Sequence, residues 1–438
     1  MKVYLLDLWE SPNGCNNKEV TGSYGSVMTG EGGISSLYAW MKRKKLRMPV
    51  VSMAYLNAIF KGAGHEVVYG EYLPKDSFDL VLMPTSIVGA VEEREAAAAI
   101  KKQSPTTLIG FFGAFAKVDA ENFLQFGDFV ISGEPEDWAQ KYASDSSNSP
   151  RGVIVSEKIR DLDTLPDPDY RGFPVHSYSY SPLLRSNPFL PLTTARGCPF
   201  DCYYCPYMVD QGKQYRQHSV QRVIGQIKNM IEHHQVTSIL FRDIVFSMHK
   251  KRTKELCEAI IEADLGIRWG CETRIDSLDE DLVRLMHKSG CEVMHFGVES
   301  SDNAILGEAG RKGMKLDKQM QIVNLCESLG MKTVCFYIFG FVSDTETSMQ
   351  DTIDYACQLN SSMAQFGIMT PYPGTRLYEQ LEDRVTTKDW TKYTTYTPVV
   401  NLDHLSAQQV LAAKRRAYRQ YFMRPSWIIS RLPKLLFK

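Results

Sequence analysis

Residues 192–207 read LTTARGCPFDCYYCPY. A short apolar–threonine run ends in Arg196–Gly197, and three cysteines follow on one loop: Cys198, Cys202 and Cys205, spaced CxxxCxxC. Three thiolates this close in sequence can converge on one metal centre. A closed structural zinc site wants four ligands, and no further Cys or His lies at a suitable local spacing. A thioredoxin-like redox pair needs only CxxC. Iron–sulfur clusters are normally held by four cysteines. Three therefore suit a [4Fe–4S] cluster in which one iron is left open to another ligand. Cys198, Cys202 and Cys205 are read as the metal-holding and catalytic residues. The other seven cysteines, Cys15, Cys257, Cys271, Cys291, Cys326, Cys335 and Cys357, scatter through mostly apolar patterns and read as small buried hydrophobes.

Downstream of the loop, strand and helix patterns alternate. Strands are predicted at 192–195, 238–241, 267–271, 293–298, 333–339 and 364–369. Helices are predicted at 220–234, 250–263, 279–288, 316–329 and 345–359. Six such units predict a partial (β/α)6 TIM-like barrel, in which chemistry sits at the C-terminal ends of the strands. Those ends carry Cys198, Asp243, Glu272, Arg274, Glu299, Ser300, Gly340 and Pro371.

Upstream, strands at 3–8, 66–72, 78–84, 106–112 and 128–132 alternate with helices at 52–62, 91–102 and 120–125. The fold class is therefore α/β: a doubly wound, Rossmann-like parallel sheet, then the partial barrel, then a helical C-terminal segment. The predicted domains are 1–141, a linker at 142–185 opened by the polar run YASDSSNSPRG, the barrel at 186–375, and a basic helical segment at 376–438. At the carboxyl ends of the first sheet lie Asp7, Thr85, Ser86 and the turn from Gly110 to Gly113. Residues 9–48 break the rhythm and include a glycine-rich run (22–33) and the basic run MKRKKLR (41–47), a solvated face or an interface with an acidic substrate or another domain.

The chain has 438 residues, a net charge of −1 and 44% hydrophobic residues. That balance excludes a global field for nucleic acid, a disordered chain and a disulfide scaffold. No apolar run is long enough for a membrane span, so a cytoplasmic location is expected. The segment 415–438 holds Lys and Arg without acid beside Trp427, Ile428 and Ile429. It reads as a helix packed on the barrel, or as a peripheral contact with an anionic membrane.

CxxxCxxC at the end of the first strand of a six-unit barrel resembles the radical S-adenosylmethionine superfamily. The likeness continues through FRDIVF around Asp243, WGCETRID (269–276), GCEVMHFGVES (290–300), YIFGFVSDTETS (337–348) and TPYPGTRLY (370–378). In the N-terminal half, FDLVLMPTS, TTLIGFFGAFA and DFVISGEPE resemble the end of a cobalamin-binding domain. The resemblance implies that the open iron chelates the amino and carboxylate groups of S-adenosylmethionine, and that an electron from the cluster cleaves it to a 5′-deoxyadenosyl radical. It implies Tyr204 near the adenine, Asp243 and Glu272 on the methionyl ammonium and Arg274 on the carboxylate. Glu299 and Ser300 would take the ribose, with Gly340 and Pro371 completing the cofactor mouth. Thr85, Ser86, Gly110 and Gly113 would line a pocket for the cobalamin tail.

The reaction so implied is cobalamin-dependent methylation of an unactivated carbon in a small-molecule or lipid-like substrate. A flavodoxin or ferredoxin would be the electron donor. Two departures open an alternative. GFFGAFA (110–116) stands where family members often carry a glycine pair and histidine, and no histidine is placed to ligate cobalt. Phe111 would narrow the tail space, leaving a relic domain beside a cobalamin-free rearrangement, cyclisation or C–C bond formation. An iron–sulfur or zinc scaffold without catalysis is the rival from another class.

Overall fold

Leu80–Pro84 (LVLMP) is buried at every position, as a strand covered on both faces must be. It is the third of six parallel strands in the N-terminal sheet of a computed structural model that describes residues 1–11, 14–27 and 46–437. The strands are β1 (Lys2–Leu6), β2 (Glu66–Gly70), β3 (Leu80–Pro84), β4 (Leu108–Phe112), β5 (Phe129–Ser132) and β6 (Gly152–Val155). They lie in the order β6-β5-β4-β3-β1-β2. The main crossing helices are α1 (Val51–Gly62), α2 (Ala90–Gln103) and α3 (Pro135–Ser144).

β6 and α3 correct the predicted boundary at 141. The polar run read as the start of a linker is only the turn between α3 and an edge strand that pairs Gly152 with Phe129. The strand is a short apolar run, GVIV, and Val153 and Val155 on it face solvent. The basic run lies largely outside the described residues, as does the end of the glycine-rich run.

The second sheet is also all parallel: β7 (Phe189–Leu192), β8 (Ser238–Phe241), β9 (Arg268–Thr273), β10 (Cys291–Glu299), β11 (Lys332–Phe339) and β12 (Met363–Ile368), paired in chain order. Its two ends do not pair, so the barrel is open, as six units predict. The return helices are α4 (Val220–His234), α5 (Lys250–Glu262), α6 (Glu280–Lys288), α7 (Leu316–Ser328) and α8 (Glu346–Leu359). Asp279 and Thr345 cap α6 and α8, and each accepts a hydrogen bond from a backbone N–H of the first turn.

The stretch read as a linker does not separate the two sheets. One apolar cluster runs from Val3 and Leu5 through Tyr170 and Phe173 to Leu190 and Phe366. The connector between the sheets is part of it: Tyr170 is fully buried and its hydroxyl donates to the Pro191 carbonyl, 2.9 Å away. At the C-terminus, α9 (Ala407–Phe422) sets Tyr418 and Tyr421 edge-on to Phe366. In α10 (Pro425–Phe437), Trp427 is buried and donates to the Ser362 carbonyl, while Ile429 is 77% exposed. The tail thus packs on the barrel and leaves part of its apolar face outward. Among the described residues, no helix is long and apolar enough to cross a membrane.

Candidate active site

The cysteine loop is built from its two ends. Ala195–Arg196 pairs antiparallel with Arg216–Gln217, which closes residues 197–215 into a loop at the mouth of β7. Gly197 sits at φ +83°, and a Cβ there would lie 2.0 Å from the Gln214 carbonyl, so only glycine makes the turn. The Cys198 N–H then donates to the Gly212 carbonyl (3.0 Å). The far side rests on the barrel: Tyr203 N–H donates to Ala309, and the Leu377 N–H donates to Tyr203. Two buried ion pairs fasten the loop base to the first turn of α3 and the residue before it, Arg196 to Glu136 (2.8 Å) and Arg216 to Glu134 (2.6 Å).

Cys198, Cys202 and Cys205 all line one cavity of about 380 Å³, walled by the barrel mouth on one side and by residues 17–26 on the other. Burial pushes the Cys205 thiol up to about 12, with Cys202 and Cys198 adding to the rise through space. The three thiols therefore share one enclosure. Among the described residues, no group of three His, Cys, Asp or Glu side chains is placed to hold a single metal ion. Three thiols around one cavity, with no fourth protein ligand, fit a multi-iron cluster with an open iron rather than a closed zinc site.

Beside the thiols stand two charged pairs. Glu299 ends β10 in the left-handed region, φ +66°, a conformation that costs a non-glycine residue energy and marks sites where the surroundings hold it in place. Its carboxylate lies 3.7 Å from Arg311, which also donates to the Gly297 carbonyl. Gly297 leaves room for that carboxylate, since a Cβ there would meet Glu299 Oε1 at 2.2 Å. Burial raises the Glu299 pKa against the pull of Arg311 and Arg274. In the second pair, Glu272 accepts from Arg242 at 2.5 Å and faces His295 Nδ1 at 3.7 Å. Burial would raise Glu272, but Arg242 and His295 hold it down to about 2.

Of the residues predicted for the cofactor mouth, Tyr204, Glu272, Arg274 and Glu299 line this cavity. Tyr204 is edge-on to Phe341, and its buried hydroxyl has no hydrogen-bond partner among the described residues. Arg274 stacks over Phe200 (4.1 Å) and is forked to Asp276, so the fork assigned to a methionyl carboxylate is engaged within the chain.

Four residues need correction. Asp243 does not line the cavity; its two oxygens accept from Thr194 N–H and Oγ1 and from Ala195 N–H, so it secures the chain entering the cysteine loop. Ser300 caps the next turn, accepting from Asp302 N–H. Gly340 and Pro371 line a small separate pocket on the side of α9. Arg242, His295 and Arg311 were missed. Arg242 directly precedes Asp243, and strand alternation alone would have offered it as the opposite-facing candidate; His295 and Arg311 carry no local signal.

The residues predicted for a cobalamin tail are engaged by the chain itself. Thr85 donates to the Phe112 carbonyl and accepts from Ala116 N–H. Ser86 donates to Glu93 and accepts from Asn16. Gly110 lies within β4, where a Cβ would meet the Phe129 ring at 2.2 Å, so its missing side chain serves core packing. Gly113, at φ +110°, turns the chain beside the Thr85 carbonyl. Phe111 packs in the core against Phe123.

Residues 192–356 match the family model of the radical SAM superfamily. A relative from Pyrococcus horikoshii, named as an uncharacterized methyltransferase, is 33% identical over 273 residues, covering 62% of this chain and 58% of that one. The anaerobic magnesium-protoporphyrin IX monomethyl ester cyclase of Rubrivivax gelatinosus is 26% identical, covering 87% of this chain and 75% of its own. Among solved structures, the radical S-adenosylmethionine methyltransferase TsrM from Kitasatospora setae, with cobalamin and a [4Fe–4S] cluster bound, superposes with a TM-score of 0.63. That match has 15% identity and covers 87% of this chain and 74% of TsrM; at that identity it shows a shared fold.

Proposed function

We propose that this radical SAM chain is an enzyme that cleaves S-adenosylmethionine in the cavity between its two sheets and acts there on a small-molecule or lipid-like substrate. The observation that carries the reading is the placement of three cluster-type thiols and the Glu299–Arg311 pair in one enclosure. Cys198, Cys202 and Cys205 would hold the cluster and leave one iron open. When bound, a reduced [4Fe–4S] cluster with S-adenosylmethionine supplies a 5′-deoxyadenosyl radical that abstracts a hydrogen atom. The chain's own part is to bind and orient. Glu299 would accept from donor groups of the cofactor, and its opposed Arg311 would keep the carboxylate aimed. Tyr204 offers an aromatic face for a base. The aromatic walls, with Tyr180, Tyr207, Tyr372 and Tyr396 among them, would exclude water from a reactive intermediate. A flavodoxin or ferredoxin would supply the electron.

Methyl transfer is the reaction favoured by the name of the Pyrococcus relative; ring closure is the reading favoured by the name of the Rubrivivax relative. Cobalamin, held by TsrM according to its description, is the cofactor that would serve methylation of an unactivated carbon. The four residues read for its tail do not fit that role, because each is committed to the fold. The test is anaerobic reconstitution with iron and sulfide, reduction by dithionite, and chromatography for 5′-deoxyadenosine. Formation is expected; a fully loaded cluster that yields none would overturn the reading.

A further inference from the structure

In a doubly wound sheet, ligands bind outside the carboxyl ends of the strands where the strand order reverses. Here the reversal lies between β1 and β3, so the crevice opens beside Asp7 and Pro84. It is filled by the chain itself. The Lys18 ammonium sits 2.9 Å from the Pro84 carbonyl, 3.2 Å from Glu93 and 3.4 Å from Asp7, and its side chain is 2% exposed. On either side of Lys18 the same segment is tied down. Asn16 donates to Ser86 at 2.5 Å, and Ile87 N–H donates to the Tyr24 carbonyl at 2.8 Å. Gly25 passes so close that a Cβ would lie 2.8 Å from the Ser86 Cβ. Tyr24, fully buried against Phe115 and Tyr372, donates to the Pro373 carbonyl and so joins the segment to the far barrel wall.

We infer that residues 16–27, locked by Lys18, are the built-in occupant of this crevice, so that the N-terminal sheet takes no cobalamin tail and serves instead as the second wall of the substrate cavity. An inserted ligand would have to displace an ammonium that lies between two buried carboxylates, and removing one partner of a buried ionic group is strongly unfavourable. The segment meanwhile presents Asn17, Val20, Thr21 and Ser26 to the cavity that holds the three thiols. These four positions would then help select substrate. The inference concerns the N-terminal half and stands apart from whether the barrel cleaves S-adenosylmethionine.

The test uses the full chain, reconstituted anaerobically with iron and sulfide, incubated with hydroxocobalamin and desalted. No retained corrin absorbance is expected; one corrin per chain would overturn the inference. The same preparation, with no cobalamin added, is assayed for 5′-deoxyadenosine. Absence of that product would sink the proposed activity while leaving the inference standing. Lys18→Met, which keeps length and removes charge, should lower the melting temperature by several degrees, and the double variant Lys18→Met/Glu93→Gln should recover part of the loss. A Lys18→Met melting curve identical to wild type would show that the lysine locks nothing and would also overturn it.

Discussion

The guanidinium of Arg196 lies 2.8 Å from the carboxylate of Glu136, and both side chains are buried. Arg196 stands two residues before Cys198, while Glu136 lies in the first turn of α3, so the pair joins the cysteine loop directly to the N-terminal sheet. Glu136→Ala leaves a buried guanidinium short of its main counter-charge. It is expected to destabilise the chain by about 3–5 kcal/mol, read from the denaturant midpoint. A midpoint within error of wild type would mean that Glu134 alone secures the loop.

Replacing Cys198, Cys202 and Cys205 together by alanine should abolish the brown chromophore and the formation of 5′-deoxyadenosine. Cys257→Ala and Cys357→Ala, on α5 and α8 away from the cavity, should leave both intact. Iron and sulfide per chain decide the matter. A triple variant that still assembles a full cluster would refute the ligand assignment.

Glu299→Ala removes the carboxylate held in the cavity by Arg311 and Gly297. S-adenosylmethionine affinity should fall by about 1.5–3 kcal/mol, the value of a charge-assisted hydrogen bond, with cluster content unchanged. Ser300→Ala, one residue on but turned into a cap, should bind as wild type does. Titration calorimetry on the reconstituted protein compares the two, and equal losses would show a shared structural effect.

His218 is buried beside Tyr55, and its Nδ1–H donates to Asp163 at 3.1 Å. Burial lowers its pKa to about 4, although Asp163 pulls the other way. The folded pKa lies below the ordinary 6.5, so between these values the unfolded chain binds more protons than the folded one. This contribution is therefore whole above about pH 6.5 and is lost as pH falls toward 4, to a total of about 3 kcal/mol. His218→Gln should flatten that part of the stability curve measured by urea denaturation at stepped pH. An unaltered slope would assign the pH dependence elsewhere.

The barrel was legible because its signals are local. The predicted limits of α4 and β8 coincide with those observed, and most other barrel elements differ by a few residues at their ends, but the first strand, read at 192–195, lies at Phe189–Leu192 and shares only Leu192 with that reading. Each is an amphipathic or fully apolar run bounded by turns or caps. The site was legible only in part. Asp243, Ser300, Gly340 and Pro371 do lie just past strand ends, yet none lines the cavity that holds the thiols. Position along a strand says where a residue is; which way it points, and which neighbour claims its hydrogen bonds, depends on chains brought alongside. Thr194 and Ala195 claim Asp243, while its neighbour Arg242 turns into the cavity.

The sequence by itself determined the two parallel α/β sheets and the gathering of three cysteines on one loop, because hydrophobic period and cysteine spacing act over a few residues. The tertiary structure alone decided that β6 extends the first sheet, that the connector fuses the cores, and that Lys18 fills the crevice between β1 and β3. Lys18 meets Glu93 across 75 positions of sequence. No local pattern reports such a pairing, since an ammonium and a carboxylate become partners only when folding removes water from both.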